Sequence, residues 1–326
     1  MRKISVADFP HYNIYFDNRR LLCRRMTYRC DNEKCTHCDH VATSFPLWRQ
    51  ARQAKSSVCV PHLRSCVYYC DNARQLAKVE KWDGIIRCPQ RFYSKANMSN
   101  GFQDVKTFEF SGRQFALLSL RIDNVFNMAL VDVDKQDNVM ILKGGAGHQK
   151  NWLPLVTDDR SLYFLTNLDN CTVALYNSTP DLREHQTGEN GRLRNWLASL
   201  KFNFVPETPH LRGNAIVQME ANRWIGIGHS ISITPAPGGN ARKYDHYWFS
   251  IEYFQRRFSI TAVSHPFDFG KSNMEFVSCV FRPSAENNNT FRVIFSADDS
   301  ENYTQDILCD AVANELHKGY KNTNIV

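Results

Sequence analysis

Short runs of β-branched and aromatic residues, each cut off by Gly, Asn, Asp or Pro, recur along most of the chain. They include TFEFSGRQFALLSLRI from residue 107, NMALVDVD from 127, NVMILK from 138, SLYFLTN from 161 and TVALYN from 172. The pattern continues in AIVQMEANRWIGIGHS from 215, YWFSIEYF from 247, FSITAVS from 258, EFVSCVF from 275 and FRVIFSA from 291. Such segments predict short strands joined by tight turns. Helical spacing of apolar residues occurs only in RLRNWLASL from residue 192 and in the tail QDILCDAVANELHKGY from 305. No Pro/Gly/Ser linker divides residues 1–326, so one all-β domain is expected, and the recurring unit of strand, turn, strand and polar loop favours a β-propeller with a short C-terminal helix.

Charge narrows the partners. The net +7 is spread along the chain rather than gathered in one Lys/Arg run, so no nucleic-acid partner is expected, whereas sugar phosphates or nucleotides suit it. No apolar run approaches the ~20 residues of a membrane span, and MRKISVADFPHYNIYF lacks the apolar core of a signal peptide. The chain reads as cytoplasmic, or as lumenal in the secretory pathway were a signal or anchor removed.

Eight of the eleven cysteines lie between Cys23 and Cys88, an arrangement unlike a complete disulfide framework. Cys30, Cys35, Cys38 and His40 have spacings that could close on one tetrahedral zinc. The second group, Cys59, His62, Cys66 and Cys70, lacks a tight Cys-x-x-Cys, so local disulfides stand level with zinc and free buried thiols are favoured over both.

Chemistry in a propeller belongs at the mouth of the central channel, on residues at strand ends. GFQDVKTFEFSG places Asp104 and Lys106 ahead of a strand, and SLRIDNVFN places Arg121 and Asp123 after one. Lys150 and Asn151 precede another strand; Arg212, Asn214, His229, Tyr244, Asp245, His246, Asp298 and Asp299 flank others. Lys, Arg, His and Tyr are the donors that hold a phosphate, and Asp104 and Asp123 are carboxylates able to act as acid or base on a glycosidic oxygen. Taken singly these residues have plainer readings: Lys106, Arg113 and Asp298 as rim residues in turns, His229 as a structural histidine, and Trp152, Trp224 and Trp248 as core.

The order of these segments resembles the five-bladed β-propellers of the β-mannoside phosphorylase type and related propeller modules linked to glycosyltransferases. GFQDVKTFEFSGRQFALL resembles their Glu-Asp-Pro-Arg strand, with Gln103, Val105 and Lys106 as departures. KNWLPLVTDDRSLYFL resembles their Lys-Asn-aromatic-x-Pro strand, and LRGNAIVQMEANRWIGIGHS the segment with a Gly-rich start and a closing His. YDHYWFSIEYFQRRFSITAVSHPFDF resembles the next blade, and MEFVSCVFRPSAENNNTFRVIFSADDS the last, whose closing Asp is Asp299. HYNIYFDNRRLLCRRMTYR is similar to the opening Asn-Pro-Ser strand, so the resemblance spans roughly residues 8 to 310, with the Cys-rich segment as an insertion within the first blades.

The resemblance implies a five-bladed fold, Asp123 as general acid and Asp104 as a sugar contact. It places Lys150, Arg212, His229 and Tyr244 near the phosphate or the reacting sugar, with Asn151, Asn214, His246 and Asp299 as further binding candidates. Arg212 and His229 are expected at opposite ends of paired strands, both turned toward an anion. Lys106 in place of the motif arginine removes a bidentate fork, which argues against inorganic phosphate as co-substrate. The expected activity is glycosyl transfer from a sugar nucleotide or sugar phosphate to a carbohydrate hydroxyl, without a cofactor. The alternatives are a phosphorylase or hydrolase of the same fold and a non-catalytic carbohydrate-binding propeller. A rival reading takes Asp132 and Asp134 as a metal-binding Asp-x-Asp pair of a Rossmann-like transferase, but the alternation of strands and crossover helices that this needs is absent, so a strand end followed by a turn is expected there.

Overall fold

The computed structural model describes residues 1–4, 13–16, 20–30, 61–71, 84–86, 99–122, 125–135, 139–144, 150–186, 191–200, 211–236, 239–283, 289–297 and 301–322. The first strands are β1 (Arg2–Ile4), β2 (Asn13–Phe16), β3 (Arg20–Cys30), β4 (Pro61–Asp71) and β5 (Gly84–Ile86). An antiparallel meander follows in β6 (Ser99–Phe110), β7 (Arg113–Ile122), β8 (Val125–Asp132) and β9 (Val139–Leu142). The next is β10 (Leu153–Val156), β11 (Leu162–Asn167), β12 (Thr172–Tyr176) and β13 (Arg183–Gln186), followed by helix α1 (Gly191–Ser199). After it come β14 (Arg212–Glu220), β15 (Arg223–Ala236), β16 (Gly239–Phe254) and β17 (Arg257–Val263). The last group is β18 (Glu275–Phe281), β19 (Thr290–Ala297), β20 (Glu301–Leu308), helix α2 (Cys309–Lys318) and β21 (Tyr320–Lys321).

The arrangement is an all-β propeller with mostly antiparallel sheets and few helices. Tight turns between neighbouring strands follow local chemistry. Ser111 and Gly112, and Gln255 and Arg256, are two-residue hairpin loops with positive φ at both positions, the geometry whose twist matches the strands on either side. Each sheet buries its faces against its neighbours, which is why its strands read as nearly continuous apolar runs. Leu153, Leu155, Tyr163, Trp224, Tyr247 and Phe249 share one core between the β10–β13 and β14–β17 sheets. Trp248, Val277, Phe291 and Phe295 share another between the β14–β17 and β18–β20 sheets. Trp152, Trp224 and Trp248 are core residues, as expected. Gly226 is required by this packing, because a Cβ there would strike the Phe249 ring and lie 2.6 Å from the Ala215 carbonyl oxygen.

Two expectations are corrected. The described strands form four sheets rather than five separate blades, because Leu63–Ser65 of β4 pair in parallel with Ser99–Gly101 of β6 and join β2–β5 to β6–β9 in one eight-stranded sheet. The tail helix starts at Cys309, not Gln305. Residues Glu301–Leu308 pair with β19 along their whole length, and β1 pairs with the opposite edge of β20. That ladder outweighs the weak helical spacing of a polar stretch. No described helix is long and apolar enough to cross a membrane. Strands β2, β6, β10, β14 and β18 pack against one another around the central axis, so the starts of β6, β10 and β14 share one mouth of the channel.

Candidate functional site

The same irregularity recurs near the start of three inner strands. Asp104 and Val105 of β6 together oppose the one residue between Leu117 and Ser119, Asn214 is an extra residue in β14 opposite Ile227 and Gly228, and Ser278 is extra in β18 opposite Ile294 and Phe295. A bulge of this kind bends the strand and re-aims a side chain. Asp104 and Asn151 also adopt left-handed backbone, at φ 48° and 63°, a conformation that Asp and Asn tolerate better than most residues. Such positions gather at binding sites, where surrounding structure holds the chain in place.

At the mouth Lys150 Nζ lies 2.9 Å from Asp104 Oδ2 and 4.9 Å from the centre of the Phe126 ring, so a carboxylate and a π-face fix the ammonium between them. Lys106, expected in a turn at the rim, is buried at 7% exposure. Burial pulls its amine from 10.5 to about 8, an effect opposed by Asp104 and reinforced by Lys150.

Lys150, Asn151, Arg212 and Tyr244 line one cavity of about 750 Å³, together with Phe126, Asp169 and Arg242. Asn151 is buried and its Oδ1 makes no hydrogen bond, leaving an acceptor at the cavity wall. Gly213 lets β14 approach β10, since a Cβ would come 2.5 Å from Leu153 Cδ1. Asp169 Oδ1 accepts the backbone N–H of Leu211 at 2.5 Å and so fixes the start of β14 beside Arg212.

Arg212 and His229 are direct partners across the β14–β15 hairpin rather than at opposite ends of it, because the turn at Ala221 and Asn222 folds the segment back on itself. Arg212 is exposed and His229 buried. The Asn214 amide is oriented by its Nδ2, which donates to the Val277 carbonyl at 3.2 Å; its Oδ1 therefore faces His229 Nδ1. An amide oxygen only accepts, so Nδ1 carries the proton and Nε2 keeps its lone pair. Burial, with His246, Arg212 and Lys150 adding to it, holds His229 well below the ordinary histidine range. His229 is thus a neutral imidazole and not a cation for the phosphate. It packs 5.1 Å from the Tyr244 ring, behind the cavity wall.

His246 pairs with His229 across β15 and β16 but lies among Phe267 and Phe269, away from the cavity lining. Burial pushes it from 6.5 down to about 3, against the pull of Asp268. Both histidines have folded pKa values below the unfolded one, so their contribution to stability is complete above about pH 6.5 and is lost as pH falls. Each costs about 1.4 kcal/mol per pH unit in that window, or about 2 kcal/mol from His246 between pH 6.5 and 5. Urea unfolding of wild type and His246→Leu across that range should show a shallower loss in the variant; equal slopes would refute the assignment.

The structure therefore brings Asp104, Lys150, Asn151, Arg212 and Tyr244 to one mouth, with Asn214 and His229 behind them. Asp123, Asp298 and Asp299 lie outside the described residues, as do Cys35, Cys38 and His40; Cys30 ends β3. Asp132 binds Arg113 and accepts the Asp134 N–H at 3.1 Å, an ordinary strand-end turn rather than a metal pair. Phe126, Asp169 and Arg242 escaped sequence reasoning. Phe126 looks like any core aromatic of a strand, and the partner of Asp169 is 42 residues away.

No family model and no curated protein matches the sequence. Among solved structures the fold is similar to the beta-1,2-mannobiose phosphorylase of Listeria innocua in complex with beta-1,2-mannobiose, at TM-score 0.55 and 11% identity over 95% of this chain and 92% of that one. Similarity extends to a mannose phosphorylase of Leishmania mexicana in complex with phosphate, at TM-score 0.48 and 9% identity over 94% and 86% of the two chains. A GDP-Man-dependent mannosyltransferase of the same organism gives 0.47 and 10% over 94% and 88%. At 11% identity the likeness to the Listeria structure establishes the shared propeller fold and nothing finer.

Proposed function

We propose that this chain is a carbohydrate-active enzyme, a glycosyltransferase that binds a sugar nucleotide or sugar phosphate at the channel mouth and passes the sugar to a carbohydrate hydroxyl. The observation that carries this reading is the Asp104–Lys150 pair, 2.9 Å apart, at a cavity that also presents Arg212 and Arg242. Cations outnumber carboxylates in the lining, which suits the phosphate of a donor. They also stabilise the negative charge that the phosphate gathers as its bond to the sugar breaks.

In this reading Lys150 and Arg212 hold the phosphate, and Asn151 Oδ1 accepts a hydroxyl of the sugar. Tyr244, backed by the Asn214–His229 pair, walls the sugar, and Asp104 or Asp123 takes the proton of the acceptor hydroxyl. Asp299 is kept as a further binding candidate, whereas His246, buried away from the cavity, takes no direct part. The second reading is a phosphorylase, in which phosphate attacks a glycoside protonated by Asp123; the phosphorylase fold of the Listeria protein favours it.

A thermal-shift screen against sugar nucleotides, sugar 1-phosphates and inorganic phosphate separates the two. A ligand at a hundred times its Kd stabilises by about 2.7 kcal/mol. A response to a sugar nucleotide or sugar 1-phosphate that Lys150→Met abolishes supports transfer; a response to phosphate with a disaccharide supports phosphorolysis; silence toward all of them sinks both. Asp123→Asn should keep ligand binding and lose turnover, and unchanged behaviour in every assay would make the chain a binding module.

A further inference from the structure

We propose that the lower part of the central channel is a second ligand site, which takes a small monocarboxylate with an apolar body. Beneath the mouth, residues further along β6, β10, β14 and β18 enclose a cavity of about 350 Å³ that shares no lining residue with the one above it. Its walls are mostly apolar, including Phe108, Val156 and Val217, and among the described residues Lys106 is the one lysine or arginine in them.

Lys106 is more than nine-tenths buried, and the carboxylate whose charge acts on it is Asp104. The neighbouring carboxylate, Asp104, is held by Lys150. A buried ammonium that must share its carboxylate with a second lysine is costly: burial and Lys150 outweigh the pull of Asp104 and lower the amine to about 8. An anion entering the channel would give Lys106 a partner of its own.

The chemistry of the walls selects which anion. One ammonium balances one negative charge, and Glu109, exposed at the far end of the cavity, repels a second. Gln114, Gln218 and Ser278 add neutral polar groups, and the inner edges of β10, β14 and β18, which pair with no other described strand, border the space. A carboxylate head at Lys106 with an aromatic or aliphatic body along the apolar walls satisfies all of these. The multiply charged phosphates proposed for the mouth do not.

The test uses benzoate as probe, with benzamide as its neutral analogue and phthalate as the dianion. Benzoate should raise the melting temperature, and benzamide and phthalate should not. Lys106→Met should weaken benzoate about 10- to 100-fold, the range for a hydrogen bond to a charged group, while Lys106→Arg keeps it. Arg212→Met, which removes a cation of the mouth without releasing Asp104, should leave benzoate binding intact, so the outcome is independent of the sugar-phosphate reading. Titration calorimetry of the wild type at pH 8.5 in two buffers of different ionisation enthalpy should show proton uptake on binding, as the amine is recharged. Equal binding of benzamide, an unchanged Lys106→Met, or absence of proton uptake would overturn the proposal.

Discussion

Replacing Glu275 with alanine is expected to destabilise the protein by about 3 kcal/mol or more, which for a chain of this size is a fall of roughly 4–5 °C in Tm. The carboxylate is fully buried and accepts three backbone N–H groups: Phe269 at 2.7 Å, Lys271 at 2.5 Å and Ser272 at 3.2 Å. Those bonds fix the connection between β17 and β18. Phe269 of that connection stacks on Phe295 at 4.0 Å, and Phe267 stacks on Trp248 at 6.1 Å. Alanine would leave the three donors unmatched and loosen both aromatic contacts. Glu275→Gln keeps one carbonyl oxygen and should lose about half as much. Melting curves of the two variants decide it, and an alanine variant within about a degree of wild type would show that the loop is held otherwise.

Loss of the ion pair at the mouth should have the largest effect on turnover. Asp104→Asn and Lys150→Met are each expected to lower kcat at least 100-fold with the fold intact, because each leaves the other charge without its partner beside the reacting sugar. The double variant should be little worse than either single one, since groups that act as a unit are not additive. Full additivity would mean that the two residues work separately, and near-normal activity in either single variant would remove the pair from the chemistry.

The mouth was partly legible in the sequence and partly not. Asp104, Lys150, Asn151 and Arg212 stand out as polar residues at strand starts, where a propeller exposes its channel. Lys106 misleads for the same reason: two residues from Asp104 it reads as part of the same polar rim, but the bulge at Asp104 and Val105 changes which way the strand presents it, and it is buried. His229 reads as a cation donor, yet its charge depends on surroundings that no local pattern reveals: burial, the Asn214 amide and two nearby cations. The eight-stranded sheet was equally hidden, because three residues of β4 and three of β6, far apart in sequence, decide it.

By itself the sequence determined the all-β class, the turns and the buried tryptophans, because alternation, β-branching and turn residues act over a few neighbours. Tertiary structure alone decided the number of sheets, the pairing of Arg212 with His229, the protonation of the histidines and the cation in the channel. Those outcomes depend on electrostatics and packing between segments tens of residues apart, which are set only when the sheets close around their common axis.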